Sequence, residues 1–269
     1  MKIGLFGKGR LGSAIAAEIG RTHDDQALRE GSSFGSPFSP SFGPSFDLAW
    51  AEGREECARE GADLAIDASA LMAVESHLEW ALAHGVDLVI AATGWNNEAS
   101  GLSDLALRVD GRIGVLVAPN LSPGAALMRK MAALMGGFAA YEPESDIAIC
   151  EWHHRGKTDA PSGTAKSLAD AVAGSCPRYS GWNSGSWQSG RINIASLRTG
   201  YEIGRHEMVL DAPFESLSLV HVARDLRVFA SGALKAACWL HGRKGVFTMD
   251  DFAAVLLGGF GRAGSPEGV

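Results

Sequence analysis

The densest chemistry in the sequence is one run, Glu151-Trp152-His153-His154-Arg155-Gly156-Lys157-Thr158-Asp159-Ala160-Pro161-Ser162-Gly163-Thr164-Ala165. Ser162, following Pro161, reads as the N-cap of a helix whose apolar stripe is Ala165, Leu168, Ala169 and Val172, ending near Gly174. The N–H groups of Gly163 and Thr164 are then first-turn donors with no intrahelical partner, a seat for a carboxylate. His154 and Lys157, on the loop just before, add positive charge and donors for the same anion, and His153 supplies a titratable imidazole beside it. Each feature alone also fits a solvated loop or a plain capped helix start. Their convergence in one short stretch favours a site that grips a small anion and moves a proton. Paired histidines also raise the question of a metal, but neighbours on a strand point to opposite faces and no third ligand stands out, so no metal is expected.

A second constellation lies at the start. Gly7-Lys8-Gly9-Arg10-Leu11-Gly12 is a GxGxxG placed directly after the apolar run Ile3 to Phe6 and before a helical pattern of Leu11, Ile15 and Ile19. In that context the first glycine permits a tight turn, the second lets backbone approach a pyrophosphate, and the third allows close helix–strand packing. The ribose contact is expected about 20 residues further on, near Arg29-Glu30-Gly31-Ser32-Ser33. Glu30 there would favour NAD. Arg29 with Ser32, helped by Lys8 or Arg10, would hold the 2′-phosphate of NADP, and both readings stay open beside a third in which these residues only begin an exposed loop. Ala92-Thr93-Gly94 and Ala118-Pro119-Asn120 follow the apolar runs Val86 to Ala91 and Ile113 to Val117, where strand ends in such sheets receive ligands.

These sites need elements to hold them. Ile3 to Phe6, Leu64 to Ala68, Val86 to Ala92 and Ile113 to Ala118 read as buried parallel strands alternating with helices such as Val74, Leu78 and Ala81, which implies an α/β, doubly wound parallel sheet. Past Asn120 the texture changes. Ser122-Pro123 caps a helix on which Leu127, Met131, Leu134 and Met135 trace one face, and Ile147/Ile149, Ile192/Ile194 and Leu217/Leu219 show the period of two of half-buried strands. A second, α+β domain with a mixed or antiparallel sheet is therefore expected. Leu234, Ala237 and His241 share a further helical face, and Thr248-Met249-Asp250-Asp251 resembles a capping box opening a last helix through Phe252 and Leu256. Phe34, Phe38, Phe42 and Phe46 recur every fourth residue, but Pro37, Pro40 and Pro44 forbid a helix, so a surface loop is favoured over a lid.

The 269 residues, 46% apolar and 20% charged, suffice for two cores, and no apolar run approaches the roughly 18 residues of a membrane helix. The start runs straight into a strand without a signal-peptide pattern, so a cytoplasmic protein is expected. A net charge of −7 disfavours nucleic acid as a partner. Cys57, Cys150, Cys176 and Cys238 are widely spaced and form neither a zinc motif nor a disulfide framework.

The run His153 to Ala165 resembles the signature of the 4-hydroxy-tetrahydrodipicolinate (dihydrodipicolinate) reductases, and the likeness extends through GxGRxG, Arg29 to Ser33, Thr93-Gly94, Asn120 and Phe229-Ala230-Ser231-Gly232-Ala233. The resemblance implies a Rossmann-like dinucleotide-binding domain over 1–121, a substrate-binding and oligomerisation domain over 122–227, and C-terminal helices over 228–269 that return to the first. It also implies a homotetramer, domain closure, and NADPH or NADH as hydride source for a small cyclic dicarboxylate. By the same carry-over His153 is the proton donor, Lys157 a second catalytic cation, and His154, Ser162, Gly163 and Thr164 grip the substrate carboxylates. Gly7, Lys8, Gly9, Arg10, Leu11, Gly12, Arg29, Ala92, Thr93, Gly94, Ala118 and Asn120 form the cofactor side. The chain departs from the pattern at Ala91-Ala92-Thr93-Gly94, at Leu28 where an acid is expected, and in its Phe-rich loop, while the arginine before Phe229 is Arg224 or Arg227. The same fold acting on another cyclic imine or keto-acid, and a non-catalytic dinucleotide sensor, are the alternatives.

Overall fold

The computed structural model describes residues 1–30, 46–50, 61–92, 94–95 and 99–258. In chain order the first elements are β1 (Lys2–Phe6), α1 (Arg10–Glu30), β2 (Asp47–Trp50), β3 (Leu64–Asp67), α2 (Val74–His84), β4 (Asp87–Ile90), α3 (Ala99–Val109) and β5 (Gly114–Val117). Then come α4 (Pro123–Tyr141), β6 (Asp146–His153), α5 (Gly163–Ala173), β7 (Trp182–Ser184), β8 (Ile192–Arg198), β9 (Arg205–Ala212) and β10 (Glu215–Val222). The chain closes on α6 (Arg227–Leu240), β11 (Gly245–Thr248) and α7 (Met249–Gly258). It divides into two compact units, Met1–Leu121 with Leu226–Val269, and Ser122–Asp225.

The first unit is built on a six-stranded sheet in the order β11-β5-β4-β3-β1-β2, with every pair parallel. Such strands are covered on both faces, which is why β1, β3, β4 and β5 are short, continuous apolar runs. Ile3, Leu5, Leu64 and Ile66 face a core with Ile15 and Ile19 of α1 and Ala233, Leu234 and Leu240 of α6. Phe6, Ala65, Leu88 and Ile90 face the opposite core, with Leu78 and Ala81 of α2 and Leu105 and Val109 of α3. The strand order reverses about β1: β2 lies to one side and β3 to the other, a switch point whose carboxyl ends are where doubly wound sheets bind ligands.

Three details differ from the expectation. The helix opened by the glycine motif continues to Glu30, and the strand beyond it is Asp47–Trp50. Phe46, grouped with the Phe-rich loop, is 3% exposed in the α1/α6 core immediately before β2, whereas Phe34, Phe38 and Phe42 lie outside the described residues. His241 is not on the buried face of α6; that helix ends at Leu240, and His241 is exposed.

The second unit is a mixed five-stranded sheet, β10-β9-β6-β8-β7, in which β6 pairs antiparallel with β9 and parallel with β8. Helices α4 and α5 cover one face, burying Met128, Ala132, Met135, Leu168 and Val172 against Ile147, Ile149, Ile192, Ile194, Met208 and Leu210. Both helices begin as expected, with Ser122 and Ser162 as N-caps accepting from the N–H groups of Ala125 and Ala165 at 3.2 Å. The apolar face assigned to α4, however, is turned outward. Leu127, Met131 and Leu134 are exposed, and of that set Met135 alone is buried, because α4 packs through its small residues. At Gly136 an added Cβ would stand 2.6 Å from the Val172 carbonyl oxygen, so the two helices approach backbone to backbone. On the sheet's opposite face, Leu197, Val220 and Val222 are exposed.

Candidate active site

Strand β6 carries the centre of the second unit's site. Its inward positions read Ile147, Ile149, Glu151, His153, so the face that begins as aliphatic core ends, at the strand's carboxyl end, as a charged pair. Glu151 is 0% exposed. One carboxylate oxygen, Oε2, is hydrogen-bonded to His153 Nδ1. The other, Oε1, accepts from Arg198 Nη2 at 2.9 Å and from the Ser162 backbone N–H at 3.3 Å. Burial alone would raise this carboxyl, but the hydrogen bonds from His153 and Arg198 overcome it and hold it down at about 2. Arg198 also donates to the carbonyls of Lys157 (3.2 Å) and Asp159 (2.5 Å), pinning the loop that leads into α5.

His206, paired across from Glu151 on β9, adds a second buried imidazole. Its Nε2 lies 3.2 Å from the Ser162 hydroxyl, its ring meets His153 edge-on at 5.1 Å, and its Nδ1 has no hydrogen-bond partner among the described residues. Burial, together with the charge of His153, pushes its pKa down to about 3, so it is neutral at working pH. His221, opposite it on β10, repeats the arrangement at the other helix start, with Nε2 3.2 Å from the Ser122 hydroxyl and a pKa lowered by burial.

The residues expected to seat an anion gather around the start of α5. Gly163 is exposed and Thr164 partly so in the first turn of α5, and His154 and Lys157 are partly buried on the preceding loop. Lys157 Nζ is engaged by Asp159 at 2.7 Å, and that ion pair outweighs the effect of burial in lowering the Asp159 pKa. Glu151, His153 and His206 offer three potential metal-ligand atoms within 4.8 Å of one another. The Arg198 guanidinium pairs with that carboxylate and balances its charge.

The glycine-rich turn belongs to the first unit. Gly7 has φ +102°, and a Cβ there would meet the Ala68 carbonyl oxygen at 2.6 Å, so the turns after β1 and β3 abut. A Cβ at Gly12 would lie 2.0 Å from the Gly7 carbonyl oxygen, which explains the third glycine. A Cβ at Gly9 meets nothing described within 4 Å, leaving open the space an approaching diphosphate needs. Lys8 and Arg10 are exposed around this turn, and Leu11 is partly buried against the core. Asp67, fully buried at the end of β3, accepts from Ser69 N–H (2.9 Å) and lies 2.8 Å from His77 Nδ1, shaping the neighbouring turn. Ala92, Gly94 (φ +87°), Ala118 and Asn120 lie beyond the ends of β4 and β5. Thr93 and the side chain of Arg29 lie outside the described residues.

Sequence reasoning passed over Arg198, His206 and His221, and gave Glu151 no role. A carboxylate at an inward position of an otherwise aliphatic strand was the available signal for Glu151. No spacing rule links it to β8, β9 or β10.

Residues 1–121 match the protein family described as "Dihydrodipicolinate reductase, N-terminus", and residues 124–253 match "Dihydrodipicolinate reductase, C-terminus". The 4-hydroxy-tetrahydrodipicolinate reductase of Helicobacter hepaticus is 36% identical over 93% of this chain and 98% of its own. That of Zymomonas mobilis is 35% identical over 93% and 96%. Among solved structures, a dipicolinate-bound dihydrodipicolinate reductase from Paenisporosarcina sp. TG-14 shares the fold, with TM-score 0.68 and 23% identity over 92% of this chain and 97% of that one. With both halves matched along nearly their whole length, the chain belongs to the dihydrodipicolinate reductase family.

Proposed function

We propose that this NAD(P)H-dependent oxidoreductase reduces 4-hydroxy-tetrahydrodipicolinate to tetrahydrodipicolinate in the diaminopimelate route of lysine biosynthesis, in the cytoplasm. The observation that carries the reading is the buried imidazole of His153, whose partner Glu151 also accepts from the N–H of Ser162, the N-cap of α5, at the end of the loop that carries Lys157. Loss of the substrate's hydroxyl as water leaves a conjugated C=N system. The nicotinamide cofactor supplies the hydride that adds to carbon. His153 gives the proton to the neighbouring carbon, and Lys157 is the second cation of the site. His154, Ser162, Gly163 and Thr164 hold the two carboxylates, which keeps the reacting atoms in line.

We assign the cofactor to the first unit, with Gly7, Lys8, Gly9, Arg10, Leu11 and Gly12 as the diphosphate residues, Arg29 as the ribose-side residue, and Ala92, Thr93, Gly94, Ala118 and Asn120 as the nicotinamide-side residues. The second unit takes the substrate and forms a homotetramer, a reading supported by the exposed Leu197, Val220 and Val222 on its uncovered sheet face. The test is spectrophotometric. The purified protein oxidises NADH or NADPH when the product of the preceding synthase is supplied fresh and not in its absence; no turnover beside a working control enzyme ends the proposal.

A further inference from the structure

Glu151 does more than fill a buried position. We infer that Glu151, clamped by Arg198, is a positioning residue that fixes the tautomer of His153, placing the proton on Nδ1 and leaving Nε2 as the nitrogen that exchanges protons with substrate. This deepens the proposed function and rests on its assignment of His153 as proton donor.

The argument runs through the hydrogen-bond inventory. An ionised carboxylate is acceptor only, and hydrogen bonding keeps Glu151 ionised. Its Oε2 faces His153 Nδ1, so that nitrogen must be a donor and carry hydrogen in both the neutral and the cationic ring. Nε2 is therefore the atom that gains and loses a proton. Room is kept for the ring by Gly204, where an added Cβ would stand 3.2 Å from His153 Nε2. Glu151 is held in turn: Arg198 Nη2 and the Ser162 N–H both donate to Oε1, so the carboxylate cannot turn away from the imidazole. His206, the other ring against this cluster, is kept neutral by burial and does not compete for the charge.

Substituting Glu151→Gln then has a sharp consequence. Arg198 and the Ser162 N–H are both donors and claim the amide oxygen, which turns the amide NH₂ toward His153 Nδ1. The donor becomes an acceptor, the neutral ring moves its hydrogen to Nε2, and the imidazolium, with two N–H groups, loses its partner.

Heteronuclear NMR of the protein with isotope-labelled histidine reads the tautomer directly, with His153 assigned from its loss in His153→Gln. The wild-type spectrum, taken where the ring is neutral, is expected to show hydrogen on Nδ1; hydrogen on Nε2 overturns the inference. Glu151→Gln is expected to reverse the tautomer and lower kcat by about 10²-fold with KM for both substrates within about threefold, the size of a lost general acid. Glu151→Asp, which keeps the acceptor, recovers part of that loss. A folded Glu151→Gln protein with unchanged tautomer or near wild-type kcat overturns the inference. Should that variant not fold, the wild-type spectrum and Glu151→Asp decide. The NMR arm needs no turnover, so a protein that fails to reduce the proposed substrate sinks the functional reading separately.

Discussion

A neutral, buried histidine ties the stability of the second unit to pH. An imidazole in the unfolded chain takes up its proton near 6.5, whereas His206 in the folded unit does so only near 3. Between those values the unfolded chain binds more protons, so folding stability is fully present above 6.5 and falls as the pH drops toward 3. A shift of that size is worth on the order of 5 kcal/mol across the window. Glu151 adds a second loss at lower pH, as its carboxylate protonates between 4.5 and about 2. Denaturant titrations near pH 7 and pH 4 check this: wild type should lose much more stability than His206→Gln, and parallel losses would contradict it. The candidates His153, His154, Lys157 and Ser162 were legible at this scale because they occupy one stretch of chain. Arg198, His206 and His221 come from three other strands, and only the order β10-β9-β6-β8 places them.

At the scale of elements, the α4–α5 contact depends on a glycine next to another that it does not need. Gly136→Ala would drive a methyl group into the Val172 backbone, where neither rigid helix can yield, and should cost about 1–3 kcal/mol. Gly137→Ala meets nothing within 4 Å among the described residues and, by helix propensity, should be neutral or stabilising by up to about 1 kcal/mol. Thermal unfolding of the two variants side by side tests the close approach; equal melting temperatures would refute it. The same contact explains the misassigned face of α4. Spacing locates an apolar stripe, but Leu127, Met131 and Leu134 are large and face outward, while Ala125, Ala132, Gly136 and Ala139 make the tighter internal contact. The parallel strands were legible because burial on both faces leaves continuous apolar runs. β2 was hidden behind a Ser-, Gly- and Pro-rich stretch, and edge strand β11 is only partly buried throughout and so lacks a continuous apolar run.

For the whole molecule, the proposed association rests on the exposed sheet face of the second unit. Leu197 on β8 and Val220 and Val222 on β10 share that face and would be buried in the proposed tetramer. Placing charge there, as Val220→Glu with Val222→Glu, should convert the tetramer to smaller species by light scattering while the fold persists by circular dichroism; an unchanged mass would remove this face from the interface. Subunit association was not readable from periodicity, which reports that a face is apolar but not what covers it.

The first unit is discontinuous, with β11 beside β5 and α6 over β3, β4 and β5 delivered by the chain after the second unit. Asp87 shows how that late arrival is secured, accepting from the N–H groups of Gly114 and Gly242 at 2.8 Å each. During synthesis the contiguous unit 122–225 emerges whole and is free to fold, while the nascent nucleotide-binding half waits with β5 as an open edge. The part of the first unit that precedes the second unit in the chain is thus completed only after the second unit has been made.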